Sequence, residues 1–352
     1  MELTCRRLDL QLTHRWTIAS SYGPGGGGGT STYGSVIVEL RDTQGVTGLG
    51  EAAPSNRYKE TPDSIIDFLK RVDAQRLTFA DVPGSMAYLE TIAPGNFAPK
   101  CALNIALLDG AARLAGKPVY DFLGLGFTEN KHVTSFSIGI ATPDEIRRKV
   151  LEAANYPVLK LKVGSLEDRE NIAALRSAAP EKTVRVDGNE AWKTKEEALR
   201  NIEWLAQDPH IEFIEQPMPA GTAREDLRWL KERSPLPLMA DESYKSDADI
   251  DLCAECYHYV NVKLVKAGGI SPSYEALKAA RKAGMKTMIG CMIETSIQIT
   301  AAAHLAELTD YLDIDGNLLI TGDPYLGATA VNGKVSFAKT EETLGLRVKA
   351  KE

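Results

Sequence analysis

The sequence predicts an α/β chain, a (β/α) barrel of the TIM type with an α+β domain placed before it. Three observations carry this. From about residue 132 onward, short apolar runs alternate with amphipathic segments at roughly 22 to 28 residues per unit, the mark of a parallel sheet with crossover helices. Eight such runs occur, the number that closes a barrel. The first 125 residues follow a different rule, with paired strand patterns and helical segments. A doubly wound open sheet is the alternative that the alternation leaves.

The elements follow in order. The opening MELTCRRLDLQLTHRW alternates polar and apolar residues and lacks the hydrophobic block of a secretory signal. SVIVELRDTQGVTGLGEA reads as two strands joined by an Asp-Thr-Gln-Gly turn. TPDSIIDFLKRVDA and PKCALNIALLDGAARLAGKPVYDFLG read as helices. The barrel runs are HVTSFSIGI, VLKLKVG, TVRVDGNEAW, IEFIEQP, LPLMADES, YVNVKLVKAG, KTMIGCMIE and YLDIDGN. Between them lie helical patterns such as TPDEIRRKVLEAANY, TKEEALRNIEWLA and SPSYEALKAARKAG, which open on Ser, Thr, Pro or Asp start signals. After about residue 322 the chain turns irregular and strand-like, and this tail is expected to pack back on the N-terminal domain. The division expected is therefore 1–125, 126–321 and 322–352.

Composition excludes several classes of function. The 352 residues are 43% hydrophobic and 25% charged, ordinary for a globular protein. A net charge of −7 without basic clustering argues against nucleic acid as a partner. No apolar run reaches about 18 residues, so no membrane span is expected. Five scattered cysteines do not make a disulfide framework, and the cytoplasm is the expected compartment. Cys253 and Cys256 form a C-x-x-C with no second pair and read as inert helix cysteines. The run Gly23 to Gly29 has no following Gly-Lys-Ser/Thr, so it reads as a mobile loop or lid rather than a phosphate cradle.

Barrel enzymes place their chemistry at the C-terminal ends of the strands. Those ends carry Lys160 and Lys162, then Asp187, Glu215, Asp241, Lys263, Glu294, and Asp313 with Asp315. Asp187, Glu215 and Asp241 come from three successive strands, and three carboxylates without His or Cys select a hard divalent cation, Mg2+ first. Asn189 and Gln216 beside them are placed to orient these ligands from behind. Lys160 and Lys162 share a strand face, with Lys263 across the mouth. A lysine becomes a base only if its pKa falls, and the mutual repulsion within KLK together with a nearby cation is the expected device. Lys263 and Lys266 have opposite strand parity, so only one of them is expected to face the interior, and parity alone does not say which.

In LKLKVG, RVDGNEAW, FIEQP, MADES and NVKLVKAGG, in this order, the chain resembles the enolase superfamily, in its muconate-lactonizing subgroup, over nearly its whole length. NIALLDGAARLAGKPVYDFLG is similar to the helix that precedes the barrel in that family. The resemblance implies a modified TIM (β/α)7β barrel with an N-terminal α+β capping domain completed by the C-terminal tail. It implies Mg2+ on Asp187, Glu215 and Asp241, and Lys162 with Lys263 as the acid/base pair. Lys160 would neutralise the developing enolate. YLDIDGN resembles the eighth strand of the dipeptide epimerases, where an Asp-x-Asp receives the substrate ammonium; Asp313 and Asp315 share one face as a receptor for a cation requires.

A dipeptide epimerase of the L-Ala-D/L-Glu type, acting on murein peptides by two-base proton transfer through an enediolate, is thus the expected activity. Its partners would be a small dipeptide and further copies of the chain, with no nucleic acid or membrane. Epimerisation of hydrophobic dipeptides, o-succinylbenzoate synthesis and lactonisation are the alternatives. In family members that act on glutamate, a basic residue of the first capping loop binds its side chain. Here that loop is SSYGPGGGGGTSTYG, with no Arg or Lys, which leaves Arg15 and Arg57 as candidates; Arg57 and Glu294 complete the expected substrate contacts.

Overall fold

The computed structural model describes residues 1–22 and 28–352, so most of the glycine run expected to form a lid lies outside the described residues. The N-terminal domain begins with β1 (Glu2–Trp16), β2 (Thr30–Arg41) and β3 (Thr47–Ala52), antiparallel neighbours in that order. The predicted turn between β2 and β3 is held by Asp42, whose Oδ1 accepts from Gln44 N and Val46 N. Helices α1 (Pro62–Leu69), α2 (Val82–Ile92), α3 (Phe97–Leu114) and α4 (Val119–Phe122) follow. Thr61 and Ser64 exchange side-chain and backbone hydrogen bonds that start α1. Buried along nearly its whole length, α3 packs on β3. The contact is close because Gly48 and Gly50 lack side chains: a Cβ at either would come 2.0 Å from a carbonyl oxygen of α3, at Ala106 or Ala102.

The barrel strands are β4 (Phe136–Ile138), β5 (Val158–Lys162), β6 (Thr183–Asp187), β7 (Ile211–Glu215), β8 (Leu238–Ala240), β9 (Tyr259–Lys263), β10 (Lys286–Gly290) and β11 (Tyr311–Asp313). Each falls within one of the eight apolar runs. They pair in parallel in chain order, and a parallel bridge between Thr134 and Leu312 brings the first strand to the last. Helices α5 (Pro143–Glu152), α6 (Asp168–Ala178), α7 (Lys195–Leu205), α8 (Arg224–Arg233) and α9 (Ile250–Cys256) follow the first five strands. After β9 come α10 (Leu264–Ala267) and α11 (Ile270–Lys282), and after β10 comes α12 (Ser296–Ala303). No α-helix follows β11 among the described residues, so the architecture is (β/α)7β. Cys253 and Cys256 are free and buried in α9.

β12 (Ile320–Thr321) leaves the barrel and pairs with β1 (Gln11 with Thr321), joining the N-terminal sheet. Beyond it, β13 (Tyr325–Leu326) pairs with β16 (Lys349–Ala350), and β14 (Thr329–Val331) with β15 (Lys334–Ser336). Alternate residues of each barrel strand point inward. Low in the barrel these are Phe213, Met239 and Met288, and Arg185 stacks over Phe213 and Tyr311. High in the barrel they are the ionisable residues. Register sets Lys162, Asp187 and Glu215 side by side on β5, β6 and β7, and Lys263, Gly290 and Asp313 on β9, β10 and β11. None of the described helices is long and apolar enough to cross a membrane.

Candidate active site

The rim residues close into one buried network. Lys160 Nζ lies 2.6 Å from Asp313 Oδ2, 2.7 Å from Glu215 Oε2 and 3.1 Å from Asp187 Oδ2. Lys162 Nζ stands 2.6 Å from the same Asp187 oxygen. On the far side, Lys263 Nζ is 2.8 Å from Asp241 Oδ2. Both members of the KLK pair therefore point inward, as strand parity requires, and carboxylates compensate their charge.

One expectation about lysines needs correction. Lys266 also faces the site, 2.5 Å from Asp241 Oδ1 and from the Asp241 carbonyl. Strand parity separated Lys263 from Lys266 only on the assumption of continued extension. The chain turns helical at Leu264, and one turn re-aims Lys266. Burial pushes Lys160 and Lys263 down, but the carboxylates around them, Asp313 and Asp241 first, outweigh it and hold both above the usual lysine range.

One oxygen from each of Asp187, Glu215 and Asp241 lies within 4.8 Å of the others. Burial alone would raise all three carboxyls. Lys162 and Lys160 hold Asp187 below the usual carboxylate range, and Lys263 and Lys266 hold Asp241 well below it. Glu215 is pushed up to about 7 by burial and by Asp187. Its Oε2 meets the Lys160 ammonium as an ion pair without hydrogen-bond geometry. Asn189 Oδ1 and Glu242 Oε2 are buried without a partner. A crowded, all-oxygen donor set with a raised carboxyl and orphaned oxygens suits a hard divalent cation such as Mg2+.

The groups behind the trio are built into strained backbone. Asn189, Glu190 and Gln216 have φ of 41°, 66° and 33°, a region that non-glycine residues rarely adopt and that clusters at functional sites. Asn189 N donates to Asp187 Oδ1 at 2.9 Å. Gln216 Oε1 accepts from Asp241 N at 2.9 Å and from Ser243 N, fixing the start of the loop after β8. Asn261, which sequence reasoning left without a role, donates to Glu215 Oε1 at 2.8 Å. It has room because Gly290 faces it, where a Cβ would meet Asn261 Oδ1 at 2.5 Å.

Asp313 and Asp315 stand together at the eighth strand end, Asp315 just beyond the last extended residue, and both are buried. Asp313 accepts from Ser135 Oγ at 2.6 Å and from Lys160, whose charge holds its carboxyl low against burial. Asp315 accepts from Ser137 N at 2.5 Å and is pushed up to about 7 by burial and by Asp313. One carboxylate is thus matched by a lysine and the other is not.

A cavity of about 660 Å3 opens above the network, between barrel and N-terminal domain. Lys160, Lys162, Lys263, Asp241, Asp313 and Asp315 line it. Arg57 also lines it, but its guanidinium is engaged by Glu190. Glu294 does not: β10 ends at Gly290, residues 291–293 form the wall, and Glu294 turns under it, accepting from Gln298 Nε2 at 3.2 Å. Burial and Glu51 push Glu294 up to about 8. Glu242 was missed from the sequence, where it reads as a loop residue after a strand end. It lines the cavity, and burial with Asp241 pushes it up to about 8.

Family models match the chain at residues 27–124, as the mandelate racemase / muconate lactonizing enzyme N-terminal domain, and at 143–329, as the enolase C-terminal domain-like unit. A protein of Pedosphaera parvula named L-Ala-D/L-amino acid epimerase is 64% identical over 97% of this chain and 98% of its own length. The substrate-liganded L-Ala-D/L-Glu epimerase of Bacillus subtilis superposes with a TM-score of 0.90 at 26% identity, over 99% of this chain and 98% of that one. The dipeptide epimerase of Enterococcus faecalis V583, complexed with Mg and L-Leu-L-Tyr, superposes with a TM-score of 0.88 at 28% identity, with the same coverage.

Proposed function

Because the chain belongs to the mandelate racemase / muconate lactonizing enzyme family of the enolase superfamily, we propose that its site epimerises the C-terminal residue of a dipeptide with Mg2+ bound. The observation that carries this reading is the placement of two lysines. Lys162 stands on β5 and Lys263 on β9, four strands apart in an eight-stranded barrel, so they face each other across its mouth. A substrate carbon held between them has one amine on each face.

Asp187, Glu215 and Asp241 would hold the metal. Bound there, Mg2+ would neutralise the substrate's carboxylate, acidify the adjacent C–H and compete with the lysines for the three carboxylates. Lys160, on the same floor, adds positive charge where negative charge develops in the enediolate. One of Lys162 and Lys263 then removes the α-proton, and the other returns a proton to the opposite face, which inverts the centre. The Asp313–Asp315 pair receives the substrate ammonium, with Asp315 supplying the charge that Lys160 does not match. Muconate and o-succinylbenzoate chemistry would bring an anion to this position instead. The relatives' names support an L-Ala dipeptide, with the interconversion of L-Ala-D-Glu and L-Ala-L-Glu among the reactions.

The two-base arrangement is tested with Lys162→Gln and Lys263→Gln in D2O. Each variant should lose epimerisation by about a thousandfold, within the range of a removed acid or base. Each should still exchange the α-proton of one diastereomer, the two variants serving opposite ones. Continued epimerisation by both variants at near the wild-type rate would exclude the assignment.

A further inference from the structure

The mouth of the cavity decides which side chain the site receives. Resting on the dipeptide reading above, we propose that the residue undergoing inversion is best accepted with a neutral, apolar side chain, and that Glu190 sets this preference by holding Arg57 away from the substrate.

Charge around the cavity is the first determinant. Among the described residues, the cations lining the cavity are Arg57, Lys160, Lys162, Lys263 and Lys266. The lysines belong to the floor, opposite Asp187, Glu215, Asp241 and Asp313, where the reacting carboxylate must go. Arg57 alone comes from the N-terminal domain, in the turn Asn56–Tyr58. Its guanidinium lies fork-to-fork on Glu190, NH1 to Oε2 and NH2 to Oε1, the latter at 2.9 Å. Glu190 is itself fixed: Oε1 accepts from Ala220 N at 2.7 Å, its own N donates to Gln216 O at 2.9 Å, and its φ is 66°. A glutamate side chain on the substrate would exchange one carboxylate partner of Arg57 for another, with no gain.

Among the described residues, no other cation lines the cavity. Residues 23–27 are Gly-Pro-Gly-Gly-Gly and carry no ionisable side chain. Arg15 is exposed on the opposite face of β1 from Trp16, and it donates to the carbonyls of Gly28 and Gly29.

The wall is the second determinant. Trp16, Tyr33, Ile293 and Leu319 line the cavity and belong to one apolar cluster that continues into Leu10 and Ile320. The Trp16 ring centroid lies 5.9 Å from Lys162 Nζ. The apolar wall therefore adjoins an amine that handles the α-proton, and the side chain on that same carbon is the group that reaches it. Covering this wall removes apolar surface from water, a gain that a carboxylate does not offer.

The test is a competition in D2O with Mg2+ among L-Ala-L-Leu, L-Ala-L-Phe, L-Ala-L-Gln and L-Ala-L-Glu, read as loss of each α-proton signal. Relative kcat/KM for Leu and Phe should exceed Glu by about tenfold or more, the scale of one unmatched polar group, with Gln between. In Glu190→Gln, Arg57 is freed, and the Glu-to-Leu ratio should rise by about tenfold. Glu ahead of Leu and Phe in the wild-type enzyme overturns the inference, and that ranking needs no variant. An unchanged ratio in a folded Glu190→Gln protein overturns the role of Glu190. Exchange in none of the four rejects the dipeptide reading itself, and this inference with it.

Discussion

Glu294 shows what a buried carboxyl costs. It is 2% exposed, close to Glu51, and its proton is retained up to about 8. In the unfolded chain a glutamate loses its proton near 4.3. Between those values the folded state binds more protons than the unfolded one, so this group's contribution falls as pH rises through that window. Glu294→Gln should therefore flatten the loss of Tm between pH 5 and pH 8 relative to wild type, and equal slopes would contradict the assignment. The sequence could mark Glu294 as a strand-end carboxylate. It could not say that the wall passes over it, because that depends on where β10 stops. Lys266 carries the same lesson in the other direction. Parity works while the backbone stays extended, and the helical turn at Leu264 ends its authority. Asp187, Glu215 and Asp241 were legible because each ends an extended run.

At the scale of elements, the barrel was the most readable part. Its strands are buried on both faces and so appear as unbroken apolar runs between polar helices. The helix α2 was not read, since Pro83 and Gly84 at its start disguise a buried row of Val82, Ser85, Tyr88 and Leu89. Close packing of α3 on β3 was also invisible, because it shows only as two glycines two residues apart. That contact gives a direct prediction. Gly50→Ala puts a methyl 2.0 Å from Ala102 O and must push helix from sheet, at about 1–3 kcal/mol, the usual price of overpacking. Thermal denaturation reads this as a lowered Tm; an unchanged Tm would show that α3 moves freely.

At the scale of the whole molecule, buried polar bonds tie the N-terminal domain to the barrel. Glu51 of β3 accepts from Thr295 N at 3.1 Å and from Thr295 Oγ1 at 2.5 Å, at the start of α12. Asn104 of α3 bonds Ser271 N and Oγ at the start of α11. These bonds set the roof over a floor whose charges come from the strand ends. Metal binding to that floor should stabilise the folded state in proportion to occupancy. Mg2+ should raise Tm in the wild-type protein and not in Asp187→Asn, as a thermal-shift titration would reveal; an equal rise in both would place the ion elsewhere. The proposed reaction inverts a carbon held between Lys162 and Lys263. Proton NMR of the enzyme in D2O with Mg2+ and L-Ala dipeptides tests it most directly. The α-proton signal of the C-terminal residue should disappear as the second diastereomer grows in, and chelator should stop both. A folded, Mg2+-supplemented enzyme that leaves that α-proton in place on every dipeptide would contradict it.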